Sequence, residues 1–186
     1  MRLEIERLIL REWATEDIEP FAAMSADPRV MRWLGGCLSR EQVEAYVARA
    51  ALSFSTLGMG RFAIERRSDG AFVGACGLMP GRDDLPIAPY VDIGWRLTPT
   101  AWGQGYASEA AAAVLRDGFE RLGLEEIAAI TMQTNHRSRA VMERLGMVRD
   151  AASDFDDPAL TPHDDPRTVV MVVISDTPED SLFRNS

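Results

Sequence analysis

Residues 98–110 read TPTAWGQGYASEA, a sequence with the features of an anion-binding turn that opens a helix. Gly103 and Gly105 carry no Cβ atom, so a ligand can approach the backbone closely at both positions. The alanines that follow favour a helix. The first turn of a helix leaves four N–H groups unpaired at the positive end of its dipole. The segment therefore predicts a phosphate-binding turn, and a strand-to-helix connection without a ligand is the alternative.

The glycine spacing excludes two common phosphate-binding motifs. A Walker A loop needs a lysine that does not follow Gly105, and the third glycine of a dinucleotide fingerprint falls on Ser108. The remaining pattern is W-x-x-G-x-A over residues 102–107. It resembles the Q/R-x-x-G-x-G/A pyrophosphate loop of the GNAT acetyltransferases, with Trp102 in the Q/R place. The letters WGQGYASEA resemble the RimJ/RimL branch, the ribosomal-protein N-terminal acetyltransferases, and the resemblance implies acetyl-CoA.

A second motif occupies residues 135–147, which read NHRSRAVMERLGM. Apolar residues at helical spacing precede Gly146, and Asn135 stands where a helix cap belongs, so a capped surface helix is one interpretation. The segment also resembles the family signature N-x-x-S-x-x-V-x-E-x-L-G-F/M. It follows the anion turn by about thirty residues. The two motifs together support the resemblance to the GNAT acetyltransferases.

Length and composition predict a single domain over residues 1–186, with residues 177–186 as a loose tail. The chain has 186 residues, of which 46% are hydrophobic. Its 20 basic and 29 acidic residues give a net charge of −9. This charge argues against nucleic acid and anionic membranes as partners, and it favours a basic partner.

Other features of the composition suggest a cytoplasmic protein, and we expect either a monomer or a homodimer. Charged residues interrupt the apolar N-terminal segment, and no apolar run reaches the length of a membrane span. Cys37 and Cys76 are too few for a disulfide framework or a thiolate metal site, and we interpret both as small apolar fillers. His136 and His163 show no metal-ligand spacing, so no metal is assigned.

Hydrophobic periodicity and turn residues predict an α/β fold. The strand, turn, helix and strand around residues 90–134 require a crossover and hence a parallel strand pair, whereas the hairpin at 62–78 is antiparallel. Gly94 lies within a strand, which suggests a bulge or a close backbone approach. The predicted strands cover residues 3–10, 62–64, 71–78, 90–97, 127–134 and 168–174, and the predicted helices begin at Thr15, Ser39, Gly105 and Asn135.

The resemblance implies the GNAT fold in particular. This fold is a mixed, mostly antiparallel, twisted sheet of about six or seven strands with helices on both faces. Acetyl-CoA is expected in a splay between two central strands.

Acetyl transfer to an amine needs a neutral amine, a stabilised oxyanion and an acid for the departing thiolate. Asp92 lies where relatives carry Glu or Asp, so it is the candidate base, acting directly or through water. The alternative is an ordinary polar residue on a half-exposed strand. Ser138 occupies the serine of the second motif, which the resemblance implicates as the acid, and its alternative is a hydroxyl bonded to its own helix. Other family members use a tyrosine where this chain has Met142.

The resemblance also implies which residues bind the cofactor. Asn135 is expected to hold the amide of the pantetheine arm, to cap its helix, or to do both. The full set of predicted cofactor-binding residues is Ile93, Trp95, Leu97, Trp102, Gly103, Gln104, Gly105, Tyr106, Ala107, Ser108, Asn135 and Ser138.

The acceptor is the least determined part of the prediction. Residues 154–166 resemble the family's substrate loop F-D-H-P-x-L-P-x-x-H-P, but Asp157 replaces the first His, and His163 is followed by Asp164. The acids of this loop either attract a cationic amine or form a solvated loop. Ribosomal protein N-termini, polyamines, amino acids and antibiotics all remain candidate acceptors.

The predicted function is acetyl-CoA-dependent acetyl transfer to a primary amine by direct attack. Two alternatives have the same fold. One is a catalytically idle acyl-CoA sensor, and the other is an interaction protein that has lost the cofactor.

Overall fold

The centre of the molecule is a mixed β-sheet, seen in a computed structural model that describes residues 1–157 and 168–175. The strands are β1 (Arg2–Glu4), β2 (Leu8–Arg11), β3 (Arg61–Arg66), β4 (Phe72–Pro80), β5 (Val91–Leu97), β6 (Glu126–Met132), β7 (Val148–Arg149), β8 (Phe155–Asp156) and β9 (Thr168–Ser175). They lie in the order β1-β2-β3-β4-β5-β6-β9-β7, and β8 also pairs with β9. Among the described residues, seven strands have three residues or more, in agreement with the predicted six or seven.

The helices cover both faces of this sheet, as predicted. They are α1 (Ile18–Ser25), α2 (Pro28–Met31), α3 (Arg40–Leu57), α4 (Tyr106–Glu120) and α5 (His136–Arg144). On one face α4 buries Val114 and Leu115 in a core with Val73 of β4, and on the other face α1 buries Phe21 against Phe72. Phe72 and Val73 are consecutive, and consecutive strand residues point to opposite faces.

The predicted parallel pair is formed by β5 and β6, which are connected through α4. The other paired strands run antiparallel. Each of the two parallel strands has seven residues, yet they share the single register pair Asp92 and Ala128. The strands therefore separate towards their C-terminal ends, and a gap opens in the centre of the sheet.

Local sequence signals account for several helix ends. The Ser39 hydroxyl accepts a hydrogen bond from the Gln42 amide at 3.3 Å, which caps the start of α3. Gly58 ends α3 with φ of 67°, in the left-handed region that glycine tolerates best. The Asn135 side chain caps α5 by accepting from the Ser138 amide at 3.3 Å.

The prediction of one strand over residues 3–10 is wrong, because the chain turns back between β1 and β2. The Ile5 amide donates to the Leu8 carbonyl at 3.0 Å, and Leu3 pairs with Leu10 across the two strands. Apolar residues on both sides of a tight turn continue the alternation expected of a single strand. The sequence pattern alone does not separate the two cases.

The bulge suggested at Gly94 is also not observed. The register between β4 and β5 runs without a shift from Gly74 and Leu97 to Pro80 and Val91, and the irregularity lies between β3 and β4. A Cβ atom at Gly94 would lie 2.6 Å from Nη1 of Arg61. Gly94 therefore makes room for the Arg61 side chain of β3, and the close approach of a backbone segment is not observed there.

The two cysteines differ in environment. Cys76 is buried in the core, where burial raises the pKa of its thiol to about 12, so the filler interpretation holds there. Cys37 is exposed, so the filler interpretation is wrong for it.

Other sequence-based expectations fall partly or wholly outside the described residues. The predicted loop from residue 151 begins with a short helical turn and β8. Residues 158–166, with His163 and Asp164, and the predicted tail at 177–186 lie outside the described part of the chain. In the part of the chain that is described, no helix is both long and apolar enough to span a bilayer.

Candidate active site

A cavity of about 590 Å³ lies where β5 and β6 separate. Five of the predicted site residues line it: Asp92, Ile93 and Trp95 from β5, and Asn135 and Ser138 from the start of α5. The rest of the described lining comes from β3, β4, β6, two further residues of β5, residues 33–34 and 80–82, and the single residues Tyr46, Arg49, Met142 and Asp157.

The backbone of β5 faces this cavity in a defined way. The Thr98 amide donates to the Val73 carbonyl at 3.0 Å, and the Gly81 amide donates to the Tyr90 carbonyl at 2.8 Å. Hydrogen-bonded pairs alternate along an antiparallel ladder. The backbone N–H and C=O groups of the even-numbered residues of β5 therefore bond to β4, and those of the odd-numbered residues point towards β6. Pairing with β6 is limited to Asp92 and Ala128. The amide of Trp95 therefore points into the gap, where it can donate to a ligand oxygen.

Ser138 and Asn135 form a small polar network beside the cavity. The Asn135 amide nitrogen donates to Thr131 Oγ1 at 2.9 Å and to Ser138 Oγ at 3.1 Å. Its side-chain oxygen accepts from the Ser138 amide, which leaves one lone pair for a further donor. Because Ser138 Oγ accepts from Asn135, its own hydrogen is available for another acceptor. Ser138, which lines the cavity, can therefore donate a hydrogen bond to a ligand there.

Asp92 is paired with a residue that the sequence analysis did not select. Its carboxylate accepts from Arg61 Nη2, and Arg61 Nη1 donates to the Gly77 carbonyl at 2.5 Å. Burial raises the pKa of Asp92, and the Arg61 guanidinium opposes part of that change. A carboxylate with a raised pKa is a stronger base than an exposed one.

The turn before α4 has the properties of an anion site. Within the described residues, the amides of residues 103–108 donate to no protein acceptor. At Gly103, where φ is 74°, an added Cβ would find no atom within 4 Å. Arg7 supports the turn, because its Nη1 donates to the Gln104 carbonyl at 2.9 Å and its Nε donates to Glu109 at 2.7 Å. Six unpaired donors next to a helix N-terminus fit a phosphate group.

The structure thus divides the predicted cofactor-binding residues into a cavity group and a turn group. The turn group is absent from the described lining of the cavity and consists of Leu97, Trp102, Gly103, Gln104, Gly105, Tyr106, Ala107 and Ser108. The side chains of Leu97 and Tyr106 are buried in the core, so only the backbone atoms of these two residues could contact a ligand.

Three side chains of the turn group bond within the protein. Trp102 Nε1 donates to the Leu97 carbonyl at 2.9 Å, and the Gln104 side chain donates to the Thr100 carbonyl at 2.7 Å. Ser108 Oγ accepts from Arg144 at 3.2 Å.

Sequence reasoning missed the basic lining of the cavity. Arg61 begins an apolar strand, and Arg96 stands two residues after Gly94 on the same face of β5 as Asp92. The sequence signal that could have identified these arginines is a charged side chain within an otherwise buried strand. Such a charge needs a partner or a ligand. The described residues contain no group of three His, Cys, Asp or Glu side chains arranged to hold a metal ion.

Comparisons with known proteins agree with this geometry. The family model described as the acetyltransferase (GNAT) domain matches residues 7–148. The uncharacterized N-acetyltransferase YoaA of Bacillus subtilis is 29% identical over 150 residues, which cover 80% of this chain and 83% of YoaA.

Two solved structures show the same fold. The acetyltransferase of Agrobacterium tumefaciens superposes with a TM-score of 0.76 at 29% identity, covering 94% of both chains. RimL, the ribosomal L7/L12 alpha-N-protein acetyltransferase in complex with coenzyme A, has a TM-score of 0.78 and covers 94% of this chain and 98% of its own. Its identity of 16% shows a shared fold alone. From the matched domain and the sheet with its parallel central pair, the chain is an acetyltransferase that belongs to the GNAT family.

Proposed function

We propose that this enzyme transfers the acetyl group of acetyl-CoA to a primary amine by direct attack, as an enzyme of the RimJ/RimL type. The observation that carries the proposal is that Asp92 and Ser138 line one cavity at the place where β5 and β6 separate. We further propose that residues 1–186 form one domain that works in the cytoplasm without a metal ion.

The residues present fit acetyl-CoA. The unpaired amides of residues 103–108 suit the pyrophosphate, and the open space at Gly103 admits it close to the backbone. The free lone pair on the Asn135 side chain suits an N–H group of the pantetheine arm. The gap beside Trp95 suits an extended chain that lies between β5 and β6.

The proposed reaction forms one C–N bond and breaks one C–S bond. The amine nitrogen attacks the thioester carbonyl, and Asp92 takes the amine proton directly or through water. The amide of Trp95 donates to the oxyanion. Ser138 then protonates the departing sulfur and regains a proton from solvent, while Asp92 releases the amine proton to solvent. The products are the N-acetyl amine and the CoA thiol, with both side chains back in their starting states. Because an N-terminal amine has an ordinary pKa of about 8, a modest base suffices.

An acceptor screen tests the proposal directly. Thiol release from acetyl-CoA is measured with a panel of peptides, amino acids and polyamines, and calorimetry measures the binding of acetyl-CoA and CoA. Turnover with any primary amine supports the enzyme. Binding without turnover would support the idle sensor, and no binding would support an interaction protein.

Ser138→Ala is expected to lower kcat by about ten- to a hundredfold, the low end of general acid catalysis. The Kd for CoA should change little, because the lost proton transfer acts only as the thiolate leaves. Steady-state kinetics and calorimetry on the same preparations give the two quantities.

The matched control is Ser55→Ala, which removes an exposed hydroxyl bonded to the Leu52 carbonyl of its own helix. It should leave both kcat and Kd unchanged. Weaker CoA binding with unchanged turnover in Ser138→Ala would make Ser138 a positioning residue instead of the acid.

A further inference from the structure

The cavity carries a charge opposite in sign to that of the whole chain. Four arginines and two aspartates line it among the described residues, whereas the chain has a net charge of −9. The arginines are Arg49, Arg61, Arg82 and Arg96, and the aspartates are Asp92 and Asp157.

Most of the buried charge in this lining is already paired. Arg61 pairs with Asp92, and Arg82 pairs with both Asp84 and Asp157. The other two arginines form no ion pair within residues 1–157 and 168–175. Arg49 is exposed, whereas Arg96 is half-buried. The one hydrogen bond of Arg96 within these residues runs from Nη1 to Ser25 Oγ at 3.3 Å. A guanidinium has five N–H donors, so most of those of Arg96 remain for a ligand.

Arg96 is held in a fixed position at the cavity wall. Its guanidinium carbon lies 5.6 Å from the ring centroids of both Phe21 and Tyr46. It projects from the same face of β5 as Asp92, and the residue between them on that face is Gly94. Two aromatic rings therefore orient a cation that lines the cavity and whose other donors are not used within the described residues.

The surroundings of Arg96 make an anionic ligand favourable. Burial lowers the pKa of Arg96, and the nearby Arg61 guanidinium lowers it further. An anion bound here would offset both effects. Since Arg61 already neutralises Asp92, the candidate base would repel such an anion less than a free carboxylate would.

We propose that the acceptor is a primary amine that also carries a carboxylate, and that Arg96 binds this carboxylate. The inference rests on the proposed acetyl transfer and adds a substrate class to it. The planar guanidinium matches a carboxylate in two parallel hydrogen bonds, which orient the ligand as well as hold it. This conclusion reverses the expectation, drawn from the net charge of the chain, that the partner is basic.

The carboxylate has more than one possible source. It belongs to an α-amino acid, to an amino acid with a longer separation of its two groups, or to an acidic side chain near a peptide N-terminus. Asp92 and Arg96 are four residues apart in an extended strand, which places their Cα atoms about 13 Å apart. A series of acceptors with increasing separation distinguishes these sources.

The test compares kcat/KM for amines that differ only in the carboxylate. Suitable pairs are phenylalanine with phenethylamine, 4-aminobutyrate with butylamine, and a peptide starting Ala-Asp with one starting Ala-Asn. In at least one pair the carboxylate member should be favoured by about tenfold or more, as expected for a charge-assisted bidentate contact. Arg96→Gln should remove this preference, because kcat/KM should fall by about tenfold or more for the carboxylate member and by much less for the uncharged member.

Two further variants control for folding and charge. Arg96→Lys keeps the positive charge without the planar fork and should retain part of the preference. Arg40→Gln removes an exposed arginine paired with Glu19 and Glu44, and it should retain all of the preference. Circular dichroism melts establish that each variant is folded.

The outcomes separate this inference from the proposed function. Equal rates within every pair, or an equal loss for both members in Arg96→Gln, would overturn carboxylate binding and leave acetyl transfer intact. If no amine is acetylated, acetyl transfer fails, and calorimetry of the same pairs with CoA-bound enzyme decides the inference. Tighter binding of the carboxylate member, lost in Arg96→Gln, supports it, and equal binding overturns it.

Discussion

Gly103→Val is expected to abolish the binding of CoA and acetyl-CoA, with Kd raised about a hundredfold or more. The added side chain would occupy the open space in front of the unpaired amides of residues 103–108, which the pyrophosphate needs. Loss of several charge-assisted hydrogen bonds is enough for a change of this size. Isothermal titration calorimetry with CoA measures it.

The chain offers a matched control for backbone strain at Gly70, in the turn between β3 and β4. Gly70 has φ of 71°, close to the 74° of Gly103, and an added Cβ at either position meets no atom within 4 Å. Both valine variants should lose a similar free energy of unfolding, about 1–2 kcal/mol, from the left-handed conformation. Only Gly103→Val should lose CoA binding. A folded Gly103→Val protein with the wild-type Kd would remove this turn from the cofactor site.

Asp92→Asn is expected to lower kcat/KM by about a hundred- to ten-thousandfold near neutral pH, the range for loss of a general base. A base acts in its ionised form, so the wild-type rate should be present above the pKa of Asp92 and lost as pH falls through it. The variant should recover part of its rate at alkaline pH, where solvent deprotonates the amine. The measurement is a pH profile of kcat/KM with one acceptor of known amine pKa.

The variant Arg61→Gln tests whether Asp92 acts as a base or serves only as the ion-pair partner that orders Arg61. The Arg61 guanidinium lowers the pKa of Asp92, so its removal should raise that pKa further and move the profile to higher pH. If Asp92 serves only to order Arg61, both variants should lose rate equally at every pH. Profiles parallel to the wild type would exclude Asp92 from proton transfer.

The parts of the fold that the sequence predicts well are those with local signals. The helix start at Gly105 and the cap at Asn135 depend on neighbouring residues, and the parallel β5–β6 pair follows from a strand, helix and strand in succession. The turn between β1 and β2 has no such signal. It is held by the distant residues Arg67 and Glu109, whose bonds to Arg7 depend on the finished sheet.

The candidate site follows the same division between local and distant contacts. Asp92 and Ser138 were selected through motifs, and the structure places both at one cavity, although their catalytic roles stay predictions. The contact between Arg61 and Asp92 crosses β4, because Arg61 pairs with Gly77 and Gly77 pairs with Gly94. This contact depends on the register of three strands, which no single segment of sequence determines.

The separation of β5 and β6 also has a thermodynamic consequence for the folded state. β1 to β5 form one part of the sheet and β6 to β9 the other, and these parts share one register pair and the crossover helix α4. An extended ligand in the gap would take the place of missing strand contacts, so it would act as a structural element as well as a substrate. At a concentration one hundred times its Kd, such a ligand adds about 2.7 kcal/mol to the free energy of unfolding. If acetyl-CoA is this ligand, a higher concentration of acetyl-CoA would make the sheet more resistant to opening. Hydrogen exchange of the Trp95 amide would then become slower as the acetyl-CoA concentration rises.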